Sequence, residues 1–230
     1  MRVRKVDTTK ADQESAQIFF DQLFRVYDLA KARVLDAFSR NGQLTVASYI
    51  QYLEDPRSQL FCWELCSDHQ KDLFTYTDNV EIGCSYVRIK REIIARSKYD
   101  VLVIDTPQGL HKSFDSIVHS EHWDFLGESI PLLADTGIIV LYVNKRPYNR
   151  EEVGSYGYDE YDEYDFKQWM VRRSQFYNFV SNREEDYVRR YREFMMEHGL
   201  IVKSMVIAPC FSDVVGIPPY SFRLGLEVVR

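Results

Sequence analysis

Three acidic residues stand at the ends of short apolar runs: Asp36 after A-R-V-L, Glu64 within Q-L-F-C-W-E-L, and Asp105 after Y-D-V-L-V-I. A carboxylate in such a place accepts hydrogen bonds from an ammonium or hydroxyl group, and a charged acceptor does this more strongly than a neutral one. Asp36 is followed by A-F-S-R-N-G, whose lone Gly42 would let the backbone approach a ligand closely. Asp105 opens D-T-P-Q-G. Beyond it, His111, His119 and His122 gather around Glu121 in a stretch ending H-S-E-H. That composition invites a metal reading, yet the spacing fixes no tetrahedral set, so structural or exposed histidines and no metal site are expected. Any of the three retains the chemistry of a general base. Cys62, Cys66, Cys84 and Cys210 are scattered without metal-type pairing and read as reduced thiols of a cytoplasmic protein.

The elements that would carry these residues alternate. Strands are predicted at 33–36, 59–65, 79–82, 100–105, 138–143, 200–208 and 221–229. Helical periodicity covers 13–29 and the segment after Gly42, then a short piece near 67–76. It returns at 86–96, 125–133 and 184–197, the last closed by His198-Gly199. Gly83-Cys84-Ser85 turns the third strand into its helix. The β-branched run 99–105 has the character of a strand buried on both faces of a parallel sheet. The last two strands have no room between them for a helix and must be antiparallel. The alternation predicts a doubly wound, mostly parallel seven-stranded α/β sheet with a C-terminal antiparallel hairpin. Such sheets bind ligands at the carboxyl ends of their strands, which is where the three acids fall.

The chain has 230 residues, 45% apolar and 28% charged, the size and balance of a single domain spanning 1–230. Residues 1–12 read as a polar arm or an added edge element. Residues 146–182 break the rhythm with G-S-Y-G-Y-D-E-Y-D-E-Y-D, read as an insertion or lid. A net charge of −6 gives no whole-protein attraction to nucleic acid. No apolar run approaches the roughly 18 residues of a membrane helix, and the polar N-terminus is not that of a secretory signal. The basic runs at 88–96, 172–173 and 189–192 read as solvated helix faces, although aromatics interleave there as they do in nucleic-acid contacts.

V-L-D-A-F-S-R-N-G-Q-L-T resembles the first motif of the Rossmann-like S-adenosylmethionine-dependent methyltransferases, in the form used by enzymes that methylate amino groups of nucleic acids, with Arg40 where the first glycine is usual. D-T-P-Q is similar to their catalytic tetrapeptide, with Thr106 for a proline and Gln108 for an aromatic. The resemblance extends from about residue 17 to the C-terminus. It implies S-adenosylmethionine as cofactor, bound by Asp36, Phe38, Gly42, Glu64, Cys84 and Ser85. Asp36 would balance the cofactor's ammonium, Glu64 would accept its ribose hydroxyls, and Gly83 to Ser85 would meet its adenine. Asp105, Pro107 and Gln108 would be the catalytic residues, orienting an acceptor amine. A nucleic-acid base or a small molecule is the implied acceptor, with a protein as a further option. The alternative is a catalytically inactive binding or regulatory subunit on the same fold. A nicotinamide dehydrogenase is disfavoured because no G-x-G-x-x-G follows the first strand.

Overall fold

Among the described residues, seven largely apolar runs and one basic N-terminal segment assemble into a sheet of eight strands. They are β1 (Arg2–Lys5), β2 (Val34–Asp36), β3 (Leu60–Glu64), β4 (Asn79–Ile82), β5 (Tyr99–Ile104), β8 (Leu133–Asn144), β9 (Ile201–Cys210) and β10 (Ser221–Val229), in the spatial order β1-β9-β10-β8-β5-β2-β3-β4. The computed structural model describes residues 2–5, 12–43, 45–104, 110–112, 118–120, 122–145, 163–181, 183–210 and 221–230. β4, β3, β2, β5 and β8 run parallel to one another, and β10 lies antiparallel between β8 and β9. All seven expected strands are present. The eighth, β1, comes from the N-terminal arm and pairs in parallel with β9.

The reason for the central position of β5 is in its side chains. Val101 to Ile104 are all buried, alternating between the two faces, and β2 and β8 flank them. On one face, α1 (Asp12–Tyr27) sets Phe19, Phe20, Leu23 and Phe24 against Val34, Leu60, Val101, Val103 and Val140. Each such fully buried side chain contributes about 1.5–3 kcal/mol. The helix lies so close to β10 that a Cβ at Gly225 would come within 2.5 Å of Leu23 Cδ1. The short α2 (Val46–Tyr49) covers the same face.

The opposite face carries α5 (Ser85–Ala95), α6 (Trp123–Ser129), α7 (Glu163–Tyr177) and α8 (Glu184–Glu197) over Leu102, Ile104, Ile139 and Leu141. Two other single-turn helices, α3 (Pro56–Gln59) and α4 (Gln70–Leu73), flank β3. Two segments differ from expectation. The stretch expected as a histidine-containing loop includes a hairpin of β6 (Leu110–Lys112) and β7 (Val118–Ser120), with His111 opposite His119. The span 146–182 is not wholly peripheral, because Phe176 and Tyr177 of α7 enter the core beside Trp123, Tyr187 and Tyr191. The tract 151–162 lies outside the described residues.

Candidate functional site

β2 is short and fully buried, and its register brings Asp36 level with Cys62 of β3 and Val103 of β5. Glu64 ends β3 two residues further along, opposite Ile82 of β4. Because these strands are parallel, the two acids emerge at the same edge of the sheet. The loop after β2 is tied to both neighbours: Ala37 N–H donates to the Val103 carbonyl at 3.0 Å and Ser39 N–H to the Trp63 carbonyl at 3.1 Å.

Asp36 is 1% exposed, and its Oδ2 accepts the Tyr49 hydroxyl at 3.0 Å. Burying a carboxylate is costly unless donors compensate it. Tyr49, itself fully buried and stacked on Phe24, provides one such donor from α2. Glu64 is 7% exposed and bridges two loops. Its Oε2 accepts the Arg40 N–H at 2.6 Å, its Oε1 accepts the Cys66 N–H at 2.9 Å, and His69 Nδ1 stands 3.3 Å from Oε1. The Cys62 thiol lies beneath both carboxylates. Burial pushes its pKa well up, the charges of Asp36 and Glu64 add to this, and a hydrogen bond with Ser39 opposes it. The thiol is therefore neutral.

Gly42 adopts φ +76°, and a Cβ there would lie 2.7 Å from Tyr76 Cε2 and 3.2 Å from Leu73 Cδ2. Glycine is required at this position by packing and backbone conformation. Arg40 also has positive φ, 51°, and its side chain is exposed.

At the end of β4, Gly83 N–H donates to the Glu64 carbonyl at 2.8 Å and Ser85 Oγ donates to the Ala37 carbonyl at 2.6 Å. These two bonds hold the start of α5, with buried Cys84 and Ser85, against the β2 loop. Phe38 is half-buried and meets Tyr86 and Phe125 edge to face, with ring centroids 6.2 and 4.9 Å away.

Asp36, Gly42, Glu64, Cys84, Ser85 and Phe38 thus belong to one region at the carboxyl ends of β2, β3 and β4. Asp105, Pro107 and Gln108 lie outside the described residues; β5 is described to Ile104. Sequence reasoning missed Tyr49, Ser39 and His69. The only signal for Tyr49 was a hydroxyl on an otherwise apolar helix stripe; Ser39 and His69 carried none.

Some polar runs turn inward. Arg88 donates to the Ile82 carbonyl and pairs with Glu81, and burial lowers its pKa. In the run 189–192, Tyr191 is fully buried and the Arg190 guanidinium covers the Phe176 and Phe194 rings at 4.7 and 5.7 Å, so the aromatic interleaving there is core packing. His122 is buried, stacks on Tyr191 and hydrogen-bonds to its hydroxyl, which also meets the Tyr177 hydroxyl at 2.9 Å. Among the described residues no cluster of three or more metal-binding side chains forms, and no helix is long and apolar enough to cross a membrane.

No family model matches the sequence, and no curated protein matches it. Solved structures share the architecture. SMU.776, a candidate methyltransferase complexed with SAH, superposes with a TM-score of 0.58 at 12% identity, over 94% of this chain and 49% of that one. A candidate SAM-dependent methyltransferase from Streptococcus mutans gives 0.55 at 12% identity, over 94% and 48%. A candidate hemolysin from Streptococcus thermophilus gives 0.53 at 13%, over 97% and 69%. The chain spans about half the length of the first two structures. At these identities the likeness is one of fold: the chain has a methyltransferase-like α/β architecture, a mostly parallel sheet with antiparallel C-terminal strands.

Proposed function

We propose that this chain is an S-adenosylmethionine-dependent methyltransferase whose acceptor is an amino group of a nucleic-acid base. The observation that carries the reading is the pair of buried acids, Asp36 and Glu64, at the carboxyl ends of adjacent parallel strands in this architecture. Their chemistry suits the cofactor. Each Glu64 oxygen accepts one main-chain N–H, and a carboxylate oxygen has a second lone pair for a ribose hydroxyl, with His69 Nδ1 at 3.3 Å the neighbour that would give way at Oε1. Asp36 offers negative charge for an ammonium, and the turn at Gly83–Ser85 offers a wall for the adenine. When bound, the cofactor supplies an electrophilic methyl group on sulfur.

The chain's own work is then positioning and exclusion of water. Ser85 and Gly83 lock the α5 start to the β2 loop, while Tyr49 and Arg40 N–H hold the two acids in place. Asp105, with the carbonyl region of Pro107, would hold the acceptor amine so that its lone pair faces the methyl. The nucleic-acid acceptor rests on the likeness of D-T-P-Q to the amino-methylating motif. Gln108 stands where an aromatic would stack on an extruded base.

A second reading, a binding or regulatory protein without catalysis, is favoured by one specific observation. Both Glu64 oxygens already serve main-chain amides and Arg40 replaces a loop glycine, an arrangement that also suits purely structural use. Calorimetric titration with S-adenosylmethionine, followed by incubation of methyl-labelled cofactor with DNA, RNA and small-molecule extracts, separates the two. The enzyme reading expects binding and label in a nucleic-acid pool. Binding with no label in any pool would replace it by the regulatory reading, and label only among small molecules would overturn the acceptor assignment.

A further inference from the structure

Arg40 is an unexpected residue for its backbone. At φ 51° it occupies the left-handed region, where a glycine would sit without penalty and a long side chain is disfavoured. Its position is tightly fixed nonetheless. The Arg40 N–H donates to Glu64 Oε2 at 2.6 Å, and Gly42 N–H closes the same loop onto the Ser39 carbonyl at 2.9 Å. The side chain leaves this clamp exposed to solvent. Arg57, Arg88 and Arg190 each pair with an acid, whereas among the described residues no carboxylate lies within ion-pair distance of the Arg40 guanidinium. A strained loop, anchored through its main chain on Glu64, thus presents an uncommitted fork of N–H donors at the end of the sheet where Asp36 and Glu64 emerge. Such strain persists only where the surroundings fix it, here through the bonds to Glu64 and Ser39, and it clusters at ligand sites.

Guanidinium and carboxylate match in geometry and form two parallel hydrogen bonds. The methionyl end of S-adenosylmethionine carries an ammonium and a carboxylate on the same carbon. We infer that Arg40 binds that carboxylate, so that Asp36 and Arg40 together read both charges of the amino-acid end. The inference rests on the proposed cofactor and adds a specificity-determining residue to its site.

The test compares two ligands: S-adenosylhomocysteine, and S-adenosyl-3-thiopropylamine, which lacks only the carboxylate. Calorimetric titrations would use the wild type, Arg40→Gly and Arg40→Lys. Arg40→Gly is expected to lose tenfold or more in affinity for the first ligand and none for the second. Arg40→Lys is expected to keep an intermediate affinity, since it preserves charge but not the fork. The urea midpoint of ligand-free Arg40→Gly should equal or exceed that of the wild type, because glycine relieves the backbone. An equal loss for both ligands, or no loss for S-adenosylhomocysteine, overturns the assignment. Wild type binding neither ligand would overturn the proposed function itself, a different outcome from wild-type binding that is insensitive to Arg40. Weakened binding of an RNA oligonucleotide with S-adenosylhomocysteine affinity intact would assign the guanidinium to phosphate instead.

Discussion

Replacing Gly42 by alanine tests whether this glycine serves packing or ligand approach. The new Cβ would have to occupy φ +76°, which costs an L-residue about 1–2 kcal/mol. It would also stand 2.7 Å from Tyr76 Cε2, 3.0 Å from Cδ2 and 3.2 Å from Leu73 Cδ2. Tyr76 is half-buried and its ring can shift, but Leu73 is fully buried beside it, so overpacking adds about 1–3 kcal/mol. Gly42→Ala is therefore expected to destabilise the fold by about 2–5 kcal/mol, read from urea unfolding followed by circular dichroism. In a Tyr76→Ala background the ring's share should vanish, leaving about 1–2 kcal/mol from the backbone plus the smaller strain of the 3.2 Å Leu73 contact. A Gly42→Ala protein of unchanged stability but weakened cofactor binding would refute the packing account. So would a loss that is the same with and without the Tyr76 ring.

Other perturbations probe the neighbouring contacts. Tyr49→Phe removes a donor from a carboxylate that is 1% exposed and should cost about 1–3 kcal/mol, with Asp36→Asn in the same background restoring part of it; unchanged stability of the single variant would show that the bond contributes nothing. Ser85→Ala deletes the 2.6 Å bond to the Ala37 carbonyl and should cost about 1 kcal/mol in the same urea assay, while faster amide exchange at the start of α5 would place the loss there. Burial, with the Arg173 charge adding to it, lowers the His122 pKa from 6.5 to about 3, so the folded state excludes a proton that the unfolded chain accepts. The stability carried by the neutral imidazole is complete above pH 6.5 and is lost as pH falls from there toward about 3, and urea midpoints of His122→Asn should fall less steeply across that window. Asp105→Ala should abolish methyl transfer while leaving much of the cofactor affinity, measured by label incorporation and calorimetry in parallel.

The parts of the fold legible in the sequence are those governed by local pattern. The run Y-D-V-L-V-I announces a doubly buried strand because nothing polar interrupts it after Asp100, and β5 indeed lies inside the sheet. The short stretch between 210 and 221 leaves no room for a crossover helix, which requires β9 and β10 to be antiparallel, as they are. Contacts between distant residues were not legible. Arg2 meets Ser204, a pairing with no sequence signal in a four-residue strand carrying three cations. Phe176 and Tyr177 lie in a span opened by an acidic tyrosine-rich tract, 154–165, whose composition masks their burial. In the site, the acids could be picked out from the strand ends, but not their partners. Arg40 and Cys66 engage Glu64 through main-chain N–H groups, which every residue but proline possesses, and Gly42 owes its identity to a ring 34 positions away.

The pairing of β1 with β9 also bears on how the chain is made. Residues 2–5 leave the ribosome well before their partner strand, which follows about two hundred residues later. At about 5–20 residues per second this is a wait of roughly 10–40 s, during which β2 to β5 can pair among themselves. An unpaired strand left waiting is a template for other chains. Arg2, Arg4 and Lys5 place three positive charges on four residues, and like-charge repulsion between nascent copies blocks that misuse. Neutralising the three should leave the completed sheet's other strands intact while raising the aggregated fraction during translation, before β9 has emerged to claim its partner.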